Sequence, residues 1–106
     1  MKRIAVVELD VRGCKMVVAE YNDNALVNVL DEMGESLKLW ADIEADNVIK
    51  PARTLETIGI LQNFQRYVTI YKVDKTVAYC TSAFKNVKNH RSFIEEVNSE
   101  TIFKFD

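Results

Sequence analysis

The sequence predicts an α/β domain on a five-stranded mixed sheet with two main helices, and three observations carry that expectation. The stretch RIAVVEL at residues 3–9 is nearly continuously apolar and rich in β-branched residues, the pattern of a strand covered on both faces. Pro51 opens a long segment in which apolar residues recur at helical spacing. The later order strand, helix, strand, helix, strand implies right-handed parallel crossovers beside an antiparallel start.

Each element follows from its residues. CKMVVAEY at 14–21 reads as a second strand, joined to the first by a short link in which Gly13 is free to take positive φ. Asn22, Asp23 and Asn24 supply turn chemistry, and ALVNVLDEM at 25–33 reads as a third strand that completes an antiparallel meander. The acidic stretch GESLKLWADIEADN reads as a loop with some local helix. The helix predicted over residues 51–72 buries Leu55, Ile58, Leu61, Phe64, Val68 and Tyr71 in one stripe. Gly59 inside it costs about 1 kcal/mol against Ala, which suggests close helix–sheet packing. KTVAYC at 75–80 reads as a fourth strand. Asn89 suits the cap of a second helix burying Phe93, Ile94 and Val97. TIFKF at 101–105 reads as a fifth strand parallel to the fourth.

A chain of 106 residues, 48% hydrophobic and 28% charged, can bury one core and is neither disordered nor fibrous. Its apolar runs fall short of the roughly 20 residues a membrane span needs. MKRIAVVELD is charged too early for a secretory signal, so a cytoplasmic protein is expected. Cys14 and Cys80 are too few for a disulfide framework and read as buried, reduced thiols.

The net charge of −2 conceals a gradient. Residues 1–49 hold ten acidic and five basic side chains, residues 50–91 two acidic and eight basic. Concentrated basic charge can hold a phosphate-rich anion on a protein that is slightly acidic overall, although Lys and Arg also serve simply to solvate a helix face. Aromatic residues do not interleave with the basic ones, so a nucleic-acid partner is not expected.

The basic cluster centres on VAYCTSAFKNVKNHRSFIEEV, residues 77–97. Together with KRIAVVELDVRGCKMVVAE at the start, it resembles the exopolyphosphatase / guanosine pentaphosphate phosphohydrolase (Ppx/GppA) family, within the actin-like ATPase superfamily of ribonuclease H-like folds. That family carries Ala-Thr-Ser-Ala-Leu-Arg, a short gap, Asn, then Phe on a helix. Thr81, Ser82, Ala83, Asn89 and Phe93 fall in that register, with Lys85 in place of the arginine. The resemblance spans essentially the whole chain. It implies a first half-domain of a longer protein that hydrolyses the terminal phosphoanhydride of polyphosphate or guanosine pentaphosphate with Mg²⁺.

The departures lie in the first loop. The family has Asp-Leu-Gly-Ser-Asn-Ser there. In this chain Glu8 takes the aspartate position, Asp10 the first glycine, Val11 the serine, Arg12 the asparagine and Gly13 the last serine. Backbone amides cradle phosphate where the chain approaches closely, and a carboxylate such as Asp10 opposes this unless a cation intervenes. The resemblance thus nominates Arg12, Gly13, Thr81, Ser82 and Lys85 as phosphate contacts and Glu8 with Asp10 as a Mg²⁺ pair. The plainer readings are a solvated strand end for Glu8 and Asp10, an exposed turn arginine, and turn capping for Thr81 and Ser82.

No catalytic residue is nominated. The family's water-activating carboxylate lies in a Ser-Gly-Glu-Glu-Glu segment and its second phosphate loop in a second half-domain, neither of which this sequence contains. The chain alone is therefore expected to be inactive, either as part of a phosphohydrolase or as a degenerate, non-catalytic binding or interaction module. Pairing with another copy or with a second half-domain is expected. His90 reads as a surface residue at a helix start, and Trp40 as a core or interface anchor.

Overall fold

The computed structural model describes residues 1–106, the side chain of Val27 excepted. Three strands, β1 (Lys2–Asp10), β2 (Gly13–Tyr21) and β3 (Leu26–Ser36), form the antiparallel meander. Two helices follow, α1 (Leu39–Asp46) and α2 (Pro51–Ile70). The strand β4 (Lys75–Cys80) then lies parallel to β1, and α3 (His90–Glu100) ends the regular structure. The sheet order is β3-β2-β1-β4.

The core lies between one face of this sheet and the helices. Ala5, Val7 and Leu9 of β1 and Cys14, Met16 and Val18 of β2 alternate inward, as period-2 geometry requires. They meet Ile58, Leu61 and Phe64 of α2 and Phe93, Ile94 and Val97 of α3. Burying each of the Val, Leu, Ile, Met and Phe side chains among them contributes roughly 1.5–3 kcal/mol, so this layer dominates the stability. No helix is long and apolar enough to cross a membrane.

Four expectations are corrected. The fifth strand does not form. Residues 101–106 alternate buried and exposed as a strand would, but their polar backbone groups are taken elsewhere. The Asn98 amide accepts from the N–H of Phe105 at 2.7 Å and donates to its carbonyl at 2.8 Å, and Gln65 accepts from the N–H of Ile102 at 3.0 Å. With those groups used, Phe103 and Phe105 insert into the core as wedges rather than extending the sheet.

The third strand runs on to Ser36, because Gly34, Glu35 and Ser36 stay in register with Lys15, Cys14 and Gly13. Leu55 leaves the buried stripe of α2 and is 66% exposed, while Thr54 and Thr57 occupy buried positions with their hydroxyls on the carbonyls of Lys50 and Arg53. Gly59 marks no close packing: a Cβ there would meet nothing within 4 Å.

Residues 71–73 finish α2 in a Schellman motif. The N–H of Val73 donates to the carbonyl of Val68 and that of Lys72 to Thr69, with Lys72 at φ 52°, in the left-handed region usually held by glycine.

Candidate functional site

Because β1 and β4 run parallel, their carboxyl ends meet at one edge of the sheet. Such edges are where α/β folds place ligands. The ladder continues one step past β4, with the N–H of Thr81 donating to the carbonyl of Leu9 at 3.0 Å. That bond turns the Thr81 hydroxyl toward β1, where it donates to Oδ1 of Asp10 at 2.6 Å. Two residues back, the Tyr79 hydroxyl donates to Oε1 of Glu8 at 2.8 Å. This bond raises the Tyr79 pKa, with lesser contributions from partial desolvation and the Glu8 charge. Glu8 and Asp10 share one face of β1, as their spacing predicts, and each holds a hydroxyl from the neighbouring strand.

The turn between β1 and β2 is gripped from behind. The N–H groups of Leu37 and Trp40 donate to the carbonyls of Arg12 and Val11 at 2.9 and 3.1 Å, so the corner between β3 and α1 fixes the turn. Gly13 is required here for a reason other than the expected one. Its φ is not positive; instead, a Cβ would lie 2.5 Å from the carbonyl oxygen of Glu35. Close approach of β3 selects the glycine.

Beside the turn lies an open cleft of about 340 Å³ lined by Glu8, Asp10, Arg12, Gly13, Lys15 and Glu35 among others. Three carboxylates and two cations line it. The Arg12 guanidinium is exposed and has no ion-pair partner among the described residues, so its fork is open to an anion.

The other nominated residues stand outside the cleft. Ser82 begins a 3₁₀ turn over Ser82–Phe84, its carbonyl accepting from the N–H of Lys85 at 3.0 Å. Thr81 precedes that turn without capping it through its side chain, since its hydroxyl is committed to Asp10. Lys85 is exposed and does not reach the cleft. What anchors the segment is Phe84, fully buried and stacked on Phe93 at 5.8 Å and His90 at 6.3 Å.

Asn89, expected as a helix cap, makes no side-chain cap. It clamps the chain between α1 and α2 instead. Its Oδ1 accepts from the N–H of Ile49 at 2.9 Å and its Nδ2 donates to the carbonyl of Ile49 at 2.7 Å.

The donor set can be weighed against Mg²⁺. Among the described residues there is no group of three or more His, Cys, Asp or Glu side chains placed to hold a metal ion. Glu8 and Asp10 form a partial site, which fits Mg²⁺ only where phosphate oxygens and waters complete the octahedron. The thiols offer nothing further: burial pushes both Cys14 and Cys80 up to about 12, so they stay protonated at neutral pH.

Tyr79, Lys15 and Glu35 belong to the site and were not nominated by the sequence. Tyr79 is found only once the parallel register sets it opposite Glu8, and Lys15 and Glu35 only through the pairing of β2 with its two neighbours.

No family model and no curated protein sequence matches the chain. Solved structures do match its fold. The type II variant structure of the Aquifex aeolicus Ppx/GppA phosphatase superposes with a TM-score of 0.90 at 23% identity, covering 99% of this chain and 35% of that one. An exopolyphosphatase from Cytophaga hutchinsonii superposes with a TM-score of 0.86 at 15% identity, covering 99% of this chain and 33% of that one. The chain thus spans about a third of the length of these structures. Over that third, it has the fold of the Ppx/GppA phosphatases.

Proposed function

We propose that the chain is the first half-domain of an exopolyphosphatase-like phosphohydrolase, forming one wall of a cleft for the terminal phosphoanhydride of polyphosphate or guanosine pentaphosphate. The observation that carries this reading is the meeting of Asp10 and Thr81 at the carboxyl ends of adjacent parallel strands, in a fold shared with Ppx/GppA phosphatases. Arg12 and Lys15 supply positive charge to phosphoryl oxygens, Arg12 through a two-pronged contact. Thr81 holds Asp10 in place from the end of β4, while Ser82 and Lys85, outside the cleft, offer a hydroxyl and positive charge to the outer part of a longer anion. Glu8 and Asp10 would hold Mg²⁺ jointly with the substrate, and the ion supplies charge neutralisation between carboxylate and phosphate. The resemblance places the water-activating carboxylate outside this matched segment, so the 106 residues bind phosphate chains without hydrolysing them.

The test is a phosphate-release assay on polyphosphate of defined length with Mg²⁺, run beside thermal melting. The expected result is no release, together with a polyphosphate-dependent rise in melting temperature that Arg12→Ala reduces. Turnover by these residues alone refutes the assignment of the missing base.

A second reading has a specific observation behind it: carboxylates outnumber cations around the cleft. A non-catalytic module that has lost the phosphate loop would show no melting shift with polyphosphate, whether Mg²⁺ is present or absent.

A further inference from the structure

One row of side chains crosses the sheet beside the cleft. The register sets Tyr79 of β4 opposite Glu8 of β1, Glu8 opposite Lys15 of β2, and Lys15 opposite Gly34 of β3. A carboxylate and an ammonium on directly opposed residues of adjacent strands are close enough to pair, and such pairs stabilise a sheet. Glu8 and Lys15 nevertheless form no ion pair, and Lys15 makes none with any other described residue.

Both ends of the row account for this. On the β4 side, the Tyr79 hydroxyl donates to Oε1 of Glu8 at 2.8 Å and draws the carboxylate away from β2. A hydrogen bond to a charged acceptor competes well with an exposed ion pair, which water and salt weaken. On the β3 side, a Cβ on Gly34 would lie 3.8 Å from Cγ of Lys15, so the lysine stem runs along the bare backbone of β3.

The next step along the strands repeats the division. The Thr81 hydroxyl donates to Oδ1 of Asp10 at 2.6 Å, and Arg12 is left without an ion-pair partner among the described residues. Both β1 carboxylates of the cleft are thus tied to hydroxyls from the end of β4, while both of its cations stay unpaired. Tyr79 stands outside the cleft lining and outside the core cluster. It acts on the cleft only through Glu8.

We propose that Tyr79 is a positioning residue of the cleft: by holding the Glu8 carboxylate toward β4, its hydroxyl withholds Glu8 from Lys15 and leaves the ammonium free for an anion. What Lys15 then binds rests on the phosphate reading. The withholding itself rests on the register and the hydrogen bond. Without the hydroxyl, Glu8 swings across to Lys15 and neutralises one of the two cations.

Tyr79→Phe removes the hydroxyl and keeps the ring, so the circular dichroism spectrum and melting temperature should stay close to wild type. Two measurements on the 106-residue chain at low ionic strength test the proposal. The first needs no ligand: the rate at which acetic anhydride acylates Lys15, followed lysine by lysine by mass spectrometry. An ammonium paired with a carboxylate gives up its proton less readily and reacts more slowly. Tyr79→Phe should slow the reaction at Lys15 about twofold or more, leave Lys85 and Lys88 unaltered, and have no effect in a Glu8→Gln background. The second is titration with polyphosphate of defined length and Mg²⁺, in which Tyr79→Phe should weaken binding about threefold. An unchanged Lys15 rate overturns the proposal, and so does a slowing that persists alongside Glu8→Gln. Polyphosphate binding that Arg12→Ala weakens but Tyr79→Phe leaves intact refutes the role of Tyr79 and spares the phosphate reading. Absence of binding by the wild type overturns the phosphate reading instead, and the acylation rates then decide whether Tyr79 holds Glu8 off Lys15.

Discussion

The two segments that meet at the edge of the sheet are built on different principles. The connection from β4 to α3 is held by its side chains: Phe84 is locked between Phe93 and His90, and Asn89 grips the backbone of Ile49. The turn from β1 to β2 is held by its backbone, through the carbonyls of Val11 and Arg12 and through the absence of a Cβ at Gly13. The first arrangement spends its distinctive residues on the fold. The second leaves its exposed arginine free for another task. A residue that matches a motif is therefore not thereby a ligand contact, and one that departs from the motif is not thereby idle.

The contrast predicts a ranked set of stability effects. The largest belongs to Phe84→Ala, which removes a fully buried ring and the stacking on both of its neighbours. It should cost about 3–5 kcal/mol by denaturant unfolding. Asn89→Ala comes next. It strands both the N–H and the carbonyl of Ile49 at a half-buried position, with an expected loss of roughly 2–3 kcal/mol. Asn89→Asp keeps the acceptor for the N–H but sets a carboxylate against the carbonyl, so it should recover little. A loss below about 0.5 kcal/mol for Asn89→Ala would show that the clamp is incidental and that Asn89 is available to a ligand.

In the first turn, only one substitution should register strongly. Gly13→Ala drives a methyl against the backbone oxygen of Glu35, an atom that cannot swing aside as a side chain would. Prising β3 from β2 at that point should cost roughly 1–2 kcal/mol. Because φ is ordinary at Gly13, an Ala that proved neutral would mean that the two strands separate easily at the rim of the cleft.

How far the sequence foretells this architecture depends on whether a residue's partner is near or far in the chain. The strands 3–9, 14–21 and 75–80 and the long helix after Pro51 are legible because their periodicity is local. Gly34, Glu35 and Ser36 are poor strand formers, and only their pairing with β2 makes them one. The helix α1 hides its role because one of its buried residues is Asp42, which accepts from the N–H of Lys50 and pairs with Arg53. A charge in a core position breaks the apolar pattern that betrays a helix. Residues 101–105 carry a strand's alternation, yet Asn98 outcompetes a neighbouring strand for the backbone of Phe105. At the site, both segments are legible from their residue types, whereas the bonds from Thr81 to Asp10 and from Tyr79 to Glu8 exist only through the parallel register.

The smallest stability effect is the most informative about function. Arg12 contributes its carbonyl to the corner with Leu37, while its guanidinium has no ion-pair partner among the described residues. Arg12→Ala keeps that carbonyl, so stability should change by no more than about 0.5 kcal/mol. Polyphosphate affinity should nevertheless fall by about tenfold, the equivalent of one charge-assisted contact of about 1.4 kcal/mol. Arg12→Lys should recover part of the loss, since it restores the charge without the fork. Isothermal titration of the two variants against defined-length polyphosphate with Mg²⁺ separates these effects. Equal affinity for wild type and Arg12→Ala would mean that the turn is a structural corner alone and that any phosphate contact lies with Thr81, Ser82 and Lys85.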